Sequence, residues 1–363
     1  MAKRFIIAGG GTGGHIFPAV AIANALKLQI ADAVFLFVGA KGKMEMEKIP
    51  QAGFQIQGLD IAGFNRSSLI KNIFLPYKLV KSFFQVAAIF KQFKPDAVIG
   101  VGGYSTFPVL KYAQSVGIPS FIHEANSFAG KSNMLLAKNA VKVFTATDGM
   151  EKFFPKEKIV VTGNPVRAAI ANSVVNKSEA LHYFGLSTEK KTVLAIGGSL
   201  GAKSINEAIK NNFKLFEDNQ LQLIWQTGTS YFNTAKDCAK QQDAIVVNDF
   251  INRMDYAYAA ADVVISRSGA MSIAELCIVQ KPVVFVPYPF AAEDHQKANA
   301  MNLVNKHAAL MVEDKDALEK LVPAIIDLVN NESRQVEMKN NMGKEAIANA
   351  DTIVAKEIIN ALS

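Results

Sequence analysis

Short, almost wholly apolar runs alternate with longer stretches of helical period along nearly the whole chain. Phe5-Ile6-Ile7-Ala8, Val34-Phe35-Leu36-Phe37-Val38, Ala97-Val98-Ile99, Ser120-Phe121-Ile122 and Val141-Lys142-Val143-Phe144 form the first set. Strands without a polar face belong inside parallel sheets, where both faces are covered. The pattern restarts after about residue 163. Thr192-Val193-Leu194-Ala195-Ile196, Leu221-Gln222-Leu223-Ile224-Trp225, Ala244-Ile245-Val246-Val247, Asp262-Val263-Val264-Ile265 and Val283-Val284-Phe285-Val286 make the second set. Helical stretches such as 204–216 and 270–279 lie between them. This alternation predicts an α/β protein with two doubly wound parallel sheets in tandem. The boundary falls near Gly163-Asn164-Pro165, whose turn chemistry suits a linker.

A chain of 363 residues is too long for one core and fits two ordinary domains. Half of it is apolar and a fifth charged, which excludes a disordered or fibrous chain. Cys238 and Cys277 cannot make a disulfide framework, and no Cys/His cluster has zinc spacing. The chain has no run of ~20 apolar residues, the length a spanning helix needs. It also shows no apolar leader, so a reducing cytoplasm is the expected compartment. The net charge of +7 is uneven: residues 1–163 carry 19 Lys/Arg against 9 Asp/Glu, the remainder 20 against 23. A basic first half fits a domain facing a polyanion (nucleic acid, phosphorylated ligand or anionic membrane) or simply a basic proteome.

The first apolar run leads straight into Gly9-Gly10-Gly11-Thr12-Gly13-Gly14-His15, with Pro18 placed to open a helix. Glycines let the backbone approach an anion, and N–H groups at a helix start attract negative charge. Gly9, Gly11 and Gly14 satisfy the dinucleotide pattern formally. The second run, however, ends Val38-Gly39-Ala40-Lys41, without the carboxylate that would hold a ribose, which disfavours nicotinamide or flavin. Gly100-Val101-Gly102-Gly103-Tyr104-Ser105-Thr106 is a second such loop, so two anion-binding turns are expected on one sheet edge, suiting a diphosphate.

The second half has Gly197-Gly198-Ser199-Leu200-Gly201-Ala202 between a strand and a helix. Further on, Ser266-Arg267-Ser268-Gly269-Ala270-Met271-Ser272 enters a helix with Glu275 one turn inside. Backbone N–H groups and a hydroxyl there suit a phosphate, and the carboxylate suits paired ribose hydroxyls. An ordinary first-turn glutamate, favoured by the helix dipole, explains Glu275 equally well. His15 closes the first glycine loop, and His123 precedes Glu124-Ala125-Asn126 just after the strand at 119–122. A lone histidine is usually structural, but one closing a phosphate-type loop is a candidate general base. His182 and His307 lie in plain helical contexts.

Six motifs then fall in a familiar order: Gly10-Gly11-Thr12-Gly13-Gly14-His15-Ile16-Phe17-Pro18, Gly102-Gly103-Tyr104, His123-Glu124-Ala125-Asn126, Gly163-Asn164-Pro165-Val166-Arg167, Gly197-Gly198-Ser199-Leu200-Gly201-Ala202 and Arg267-Ser268-Gly269-Ala270. Along essentially the whole chain they resemble the MurG family. Those enzymes transfer N-acetylglucosamine from UDP-N-acetylglucosamine to the 4-hydroxyl of the N-acetylmuramoyl unit of lipid I, giving lipid II of peptidoglycan synthesis. The resemblance implies the GT-B glycosyltransferase fold: two facing Rossmann-like, doubly wound parallel-sheet domains with a cleft between them. Residues 1–163, completed by a C-terminal helix at 347–363, would face acceptor and membrane. Residues 164–346 would bind the UDP-sugar. An inverting mechanism is implied too, with no metal and no cofactor. So are peripheral attachment to the cytoplasmic face of the bacterial plasma membrane, other cell-wall synthesis proteins as partners, a part in cell shape and division, and no nucleic acid.

Position by position, the resemblance places Thr12, Gly13, Gly14 and Asn126 at the sugar end of the donor. Arg167 and Ser199 would serve the nucleotide phosphates or their surroundings. Ile251 would present backbone groups to uracil, and Gln296 would bind sugar hydroxyls. Ala270, Met271, Ser272, Ile273, Ala274 and Glu275 would hold sugar amide, phosphates and, through Glu275, ribose. His15 is the candidate base, Glu124 the second candidate, and Gly102, Gly103 and Tyr104 would take the acceptor diphosphate. The family often has two adjacent glutamines where this chain has His295-Gln296.

Between residues 65 and 95 the chain is both apolar and basic. Pro76 is placed to start a helix, and 83–93 reads as core-facing. Within 66–75, Leu69, Ile70, Ile73, Phe74 and Leu75 lie in an expected loop flanked by Arg66, Lys71 and Lys78, a combination suited to an anionic bilayer. Competing readings are another GT-B enzyme on a glycolipid, a UDP-N-acetylglucosamine 2-epimerase, a non-catalytic nucleotide-sugar sensor and a nicotinamide oxidoreductase. An epimerase needs more carboxylates around the sugar, and a sensor needs neither His15 nor the apolar loop.

Overall fold

The computed structural model describes residues 2–63, 73–198, 200–240 and 242–363. The chain divides into two compact units, Met1–Val166 with Ile347–Ser363, and Arg167–Ala346. Among the described residues the first unit holds β1 (Arg4–Ala8), β2 (Val34–Ala40), β3 (Gln55–Leu59), β4 (Ala97–Gly100), β5 (Ser120–Glu124), β6 (Lys142–Thr145) and β7 (Ile159–Val161). They pair in the order β3-β2-β1-β4-β5-β6-β7, and every pairing is parallel. The second unit holds β8 (Thr192–Ile196), β9 (Gln222–Gln226), β10 (Ile245–Asn248), β11 (Val263–Ser266), β12 (Val283–Phe285) and β13 (Leu310–Met311). These are again parallel, in the order β10-β9-β8-β11-β12-β13. Two tandem doubly wound sheets are therefore what the chain builds.

The missing polar face of the strands has its cause in packing. In β1, Phe5 and Ile7 face a core shared with Ile16, Ile22 and Leu26 of the helix Gly13–Gln29 and with Val354 and Ile358 of the C-terminal helix Ala350–Ala361. Ile6 and Ala8 face the other side, onto Val86 and Phe90 of the helix Leu75–Phe93 and Leu110 of the helix Thr106–Ser115. In the second unit Val193, Trp225 and Ile265 pack against Ile205, Ile209, Leu321 and Ile325.

Three strands lie outside the expected apolar runs, all at sheet edges: β7 and β13 are apolar but only three and two residues long, and β3 carries two glutamines. Such a strand is only partly covered, and Gln55-Ile56-Gln57-Gly58-Leu59 alternates accordingly. The expected helix at 204–216 is two, Lys203–Asn211 and Phe213–Asp218. Asn212 leaves helical geometry between them (φ −125°), and its side-chain amide donates to the Ala208 carbonyl instead. Pro18 does not open its helix. The helix begins at Gly13, because the Thr12 carbonyl already accepts from the N–H groups of His15 and Ile16. Pro18 sits in the second turn and withholds one donor, the one Gly14 would have used. Pro76 does lie in the first turn of Leu75–Phe93.

In each sheet the strand order reverses beside the first strand of the unit, between β1 and β4 and between β8 and β11. Loops at the carboxyl ends of those strands flank a crevice that suits a ligand.

Candidate active site

In the first unit the two glycine loops are pressed together at the reversal point. The Gly10 N–H donates to the Gly102 carbonyl at 3.2 Å. Gly103 has φ +92°, and a Cβ there would lie 2.4 Å from the Gly10 oxygen, so only glycine permits this approach. Thr12 caps the start of the helix with extended backbone, and Gly13 and Gly14 are its first residues. The His15 ring lies over Gly102, its Nδ1 2.9 Å from the Gly10 carbonyl oxygen. A carbonyl can only accept, so Nδ1 is the donor, and whenever the ring is neutral Nε2 is its basic nitrogen.

His123 lies inside β5 rather than after it. It is buried, its Nε2 3.3 Å from the Gly163 carbonyl, and burial lowers its pKa to about 4. Glu124 is also buried, and its carboxylate accepts four hydrogen bonds: from Asn126 N–H and Nδ2, Gly130 N–H and Asn133 Nδ2. Asn126 is thereby oriented by Glu124. Tyr104 is half-exposed, its ring against Gly63. Ser105, opening the helix Thr106–Ser115, has a buried hydroxyl with no hydrogen-bond partner among the described residues.

One residue in this unit was not legible. Glu45, 1% exposed, directs its carboxylate into the first glycine loop, accepting from Gly11 N–H at 2.8 Å and Ala40 N–H at 3.0 Å. The first loop is therefore occupied in part by the protein's own anion. In the sequence Glu45 sits in Lys43-Met44-Glu45-Met46-Glu47-Lys48, which reads as a solvated helix.

In the second unit the helix Ala270–Val279 starts after Gly269, which has no side chain to cap it, and the positive end of its dipole lies at this start. Ala270, Met271, Ser272, Ile273 and Ala274 line this start, all partly exposed. Glu275 belongs to the second turn, which removes the first-turn dipole as its explanation. It is 6% exposed, and both oxygens are engaged. Arg167 donates from Nε (3.1 Å) and Nη2 (2.8 Å) to Oε1, while the buried Tyr258 hydroxyl donates to Oε2 at 3.0 Å. Burial, with the Glu275 charge, holds the Tyr258 hydroxyl well above the usual tyrosine range.

Around this centre the loops are tied by side chains. Arg267 donates to the carbonyls of Val286 and Pro287, to Asp314 and to Ser204, fastening the loop after β11 to its neighbours. Gln226 bridges the Gly198 carbonyl and the Ile251 N–H. Gln296 accepts at Oε1 from Tyr288 N–H, and its carbonyl accepts from Ser268 Oγ. Its helix, His295–Val304, follows two successive left-handed residues, Glu293 (φ 56°) and Asp294 (φ 52°), strain of the kind found where a site dictates the backbone. Ser199 lies outside the described residues. Tyr258, Gln226 and Asp314 carried no sequence signal, being separated from their partners by 17 to 110 residues. Among the described residues no three His, Cys, Asp or Glu side chains stand close enough to hold a metal ion.

Two sheets of this topology, each with glycine-rich loops at its reversal point, are an architecture that binds nucleotides at the switch point. Residues 5–145 match the glycosyltransferase family 28 N-terminal domain, and residues 192–353 the glycosyltransferase family 28 C-terminal domain. The chain is 49% identical to the UDP-N-acetylglucosamine–N-acetylmuramyl-(pentapeptide) pyrophosphoryl-undecaprenol N-acetylglucosamine transferase of Parabacteroides distasonis, covering 99% of this chain and 98% of that protein. It is 48% identical to the protein of the same name from Christiangramia forsetii, covering 98% and 96%. The crystal structure of Acinetobacter baumannii MurG superposes with a TM-score of 0.81 at 30% identity, over 99% of each chain. The UDP-GlcNAc 2-epimerase of Neisseria meningitidis shares the fold alone (TM-score 0.67, 15% identity, 99% of this chain and 100% of that one). The chain belongs to the MurG family of glycosyltransferases.

Proposed function

We propose that this enzyme moves N-acetylglucosamine from UDP-N-acetylglucosamine to the 4-hydroxyl of the N-acetylmuramoyl unit of lipid I by a single inverting displacement. The observation that carries the donor assignment is Glu275, a nearly buried carboxylate held by Arg167 and Tyr258 one turn into a helix opened by Gly269. A carboxylate there accepts from ribose hydroxyls, while Arg167 and the first-turn N–H groups of Ala270 to Ser272 stabilise the charge on departing UDP. Ile251 has its N–H engaged by Gln226, so its carbonyl is the group we assign to uracil. Gln296 has its oxygen engaged by Tyr288, so its amide NH₂ is the end we assign to sugar hydroxyls. Ser199 keeps its proposed place near the phosphates.

On the acceptor side His15 takes the proton. As the 4-oxygen bonds to the anomeric carbon, its proton passes to Nε2 and the bond from that carbon to the phosphate oxygen breaks, the electron pair leaving with UDP. Glu124, engaged four times, is a positioning group for Asn126 rather than a base. Thr12, Gly13, Gly14 and Asn126 are assigned to the donor sugar. Because Glu45 fills part of the first loop, the acceptor diphosphate is assigned to the second, Gly102, Gly103 and Tyr104, where the unpartnered Ser105 hydroxyl also sits.

No described helix is long and apolar enough to cross a membrane. We assign membrane contact to the start of the helix Leu75–Phe93. Ile73, Phe74, Tyr77, Val80 and Phe84 are 56–74% exposed, at spacings that share one face, with Lys78 and Lys81 beside them. Leu69 and Ile70 lie outside the described residues. Such contact suits a peripheral enzyme whose acceptor stays in the bilayer of the plasma membrane. The activity is tested by following UDP release with and without a lipid I analogue. Release that depends on the acceptor and yields lipid II supports the assignment. Release without acceptor, or conversion of the donor to another hexosamine, contradicts it.

A further inference from the structure

The first glycine loop joins two observations that no single residue explains. Glu45 is buried, yet burying a carboxylate costs several kcal/mol unless its charge is matched. Its Oε2 accepts from the N–H of Gly11, while His15 Nδ1–H donates to the C=O of Gly10. That N–H and that C=O belong to one peptide group. Its atoms are conjugated, so an anion on the N–H side enriches the oxygen on the other. Glu45, the Gly10–Gly11 peptide and His15 thus form a line of two hydrogen bonds, 2.8 Å and 2.9 Å, with a planar conductor of charge between them.

The backbone is shaped for this line. Gly10 has φ +151°, and a Cβ there would lie 2.3 Å from the Glu45 carboxyl carbon; one at Gly39 would lie 2.5 Å from Glu45 Cγ. The carboxylate reaches the peptide only because both positions lack side chains. A residue serving merely as filler would be apolar, and the loop would then leave the Gly11 N–H unpaired.

We infer that Glu45 is a positioning residue that acts on His15 through the intervening Gly10–Gly11 peptide, fixing its tautomer and stabilising the imidazolium formed when it takes the acceptor proton. The inference rests on His15 being the base. No proton reaches Glu45: it moves from the acceptor oxygen to His15 Nε2, and the Nδ1–H bond to the Gly10 carbonyl tightens. One titratable neighbour is His123 on β5, disfavoured as a cation by its burial.

The test compares wild type, Glu45→Gln and His15→Ala, with kcat against pH, KM for a soluble lipid I analogue, UDP affinity, and ¹⁵N NMR of the His15 ring. In Glu45→Gln we expect kcat to fall about threefold to tenfold. Its acidic limb should move to lower pH by about half a unit to one unit, since one unit corresponds to tenfold. KM and UDP affinity should hold. Wild-type His15 should show its proton on Nδ1, and the Glu45→Gln protein a mixture of tautomers. An unmoved acidic limb in a folded Glu45→Gln protein overturns the inference. So does wild-type His15 protonated on Nε2, a measurement that stands even if the variant fails to fold. His15→Ala should lose about 10²–10⁴-fold in turnover. A loss under about tenfold removes His15 as the base, a failure distinct from that of the relay.

Discussion

Glu275 answers in the second unit a question that Glu45 answers in the first: what a buried carboxylate is for. Arg167 and Tyr258 match its charge and hold it in place. Glu275→Ala should weaken UDP binding by about 1–3 kcal/mol, the scale for removing one partner of buried polar groups. Calorimetry on the folded variant measures this, and an unchanged UDP affinity would refute the assignment. His123 supplies a pH dependence. Its pKa of about 4 in the folded protein lies below the 6.5 of an ordinary histidine, so between those values the unfolded chain binds the extra proton. The stability from keeping it neutral is fully present above about pH 6.5 and is lost as pH falls toward 4. Unfolding midpoints between pH 7 and 5 should therefore fall more steeply for wild type than for His123→Asn. Equal slopes would show that another group carries the dependence.

At the level of elements, what was legible followed from burial. Strands covered on both faces announce themselves as apolar runs, and loops of glycine mark the strand ends that meet a ligand. β3 did not, because its glutamines interrupt the run, and β7 and β13 did not, because three and two apolar residues are too few to mark a strand; β10, also at a sheet edge, did. The glycine loops were legible as loops, but which N–H groups they offer was not. Glu45 reaches Gly11 across 34 residues, and Gln226 reaches Ile251 across 25, pairings set by the sheet order and absent from local pattern. The apolar, basic start of the helix Leu75–Phe93 was legible as composition, and the structure adds which side chains are exposed. Phe84 is among them, although 83–93 reads as core-facing in sequence; Val86, Ile89 and Phe90 do face the core. Each buried CH₂ contributes ~0.8 kcal/mol to insertion and each nearby Lys or Arg about 1 kcal/mol on anionic lipid. Replacing Ile73, Phe74 and Leu75 by serine should lower co-sedimentation with anionic vesicles and activity on full-length acceptor. Activity on a short-chain soluble acceptor should survive. High salt should release wild type only partly, since insertion is not screened. Equal sedimentation of variant and wild type would mean this segment packs on its own domain.

For the whole molecule, the same doubly wound plan occurs twice with different contents at the reversal point. The first sheet edge carries an imidazole bonded to the Gly10 carbonyl and a glycine loop already holding an internal carboxylate. The second carries a helix opened by Gly269, with Glu275 and Arg167 paired one turn inside it. In the mechanism proposed above, the first set would take a proton and the second would stabilise a departing diphosphate. That division makes stereochemistry the most direct test. With UDP-N-acetylglucosamine and a lipid I analogue, NMR of the product disaccharide should show N-acetylglucosamine on O4 of the N-acetylmuramoyl unit in the β configuration, inverted from the α-linked donor. Retention of the α configuration, or attachment at another hydroxyl, would contradict single displacement with His15 as the base.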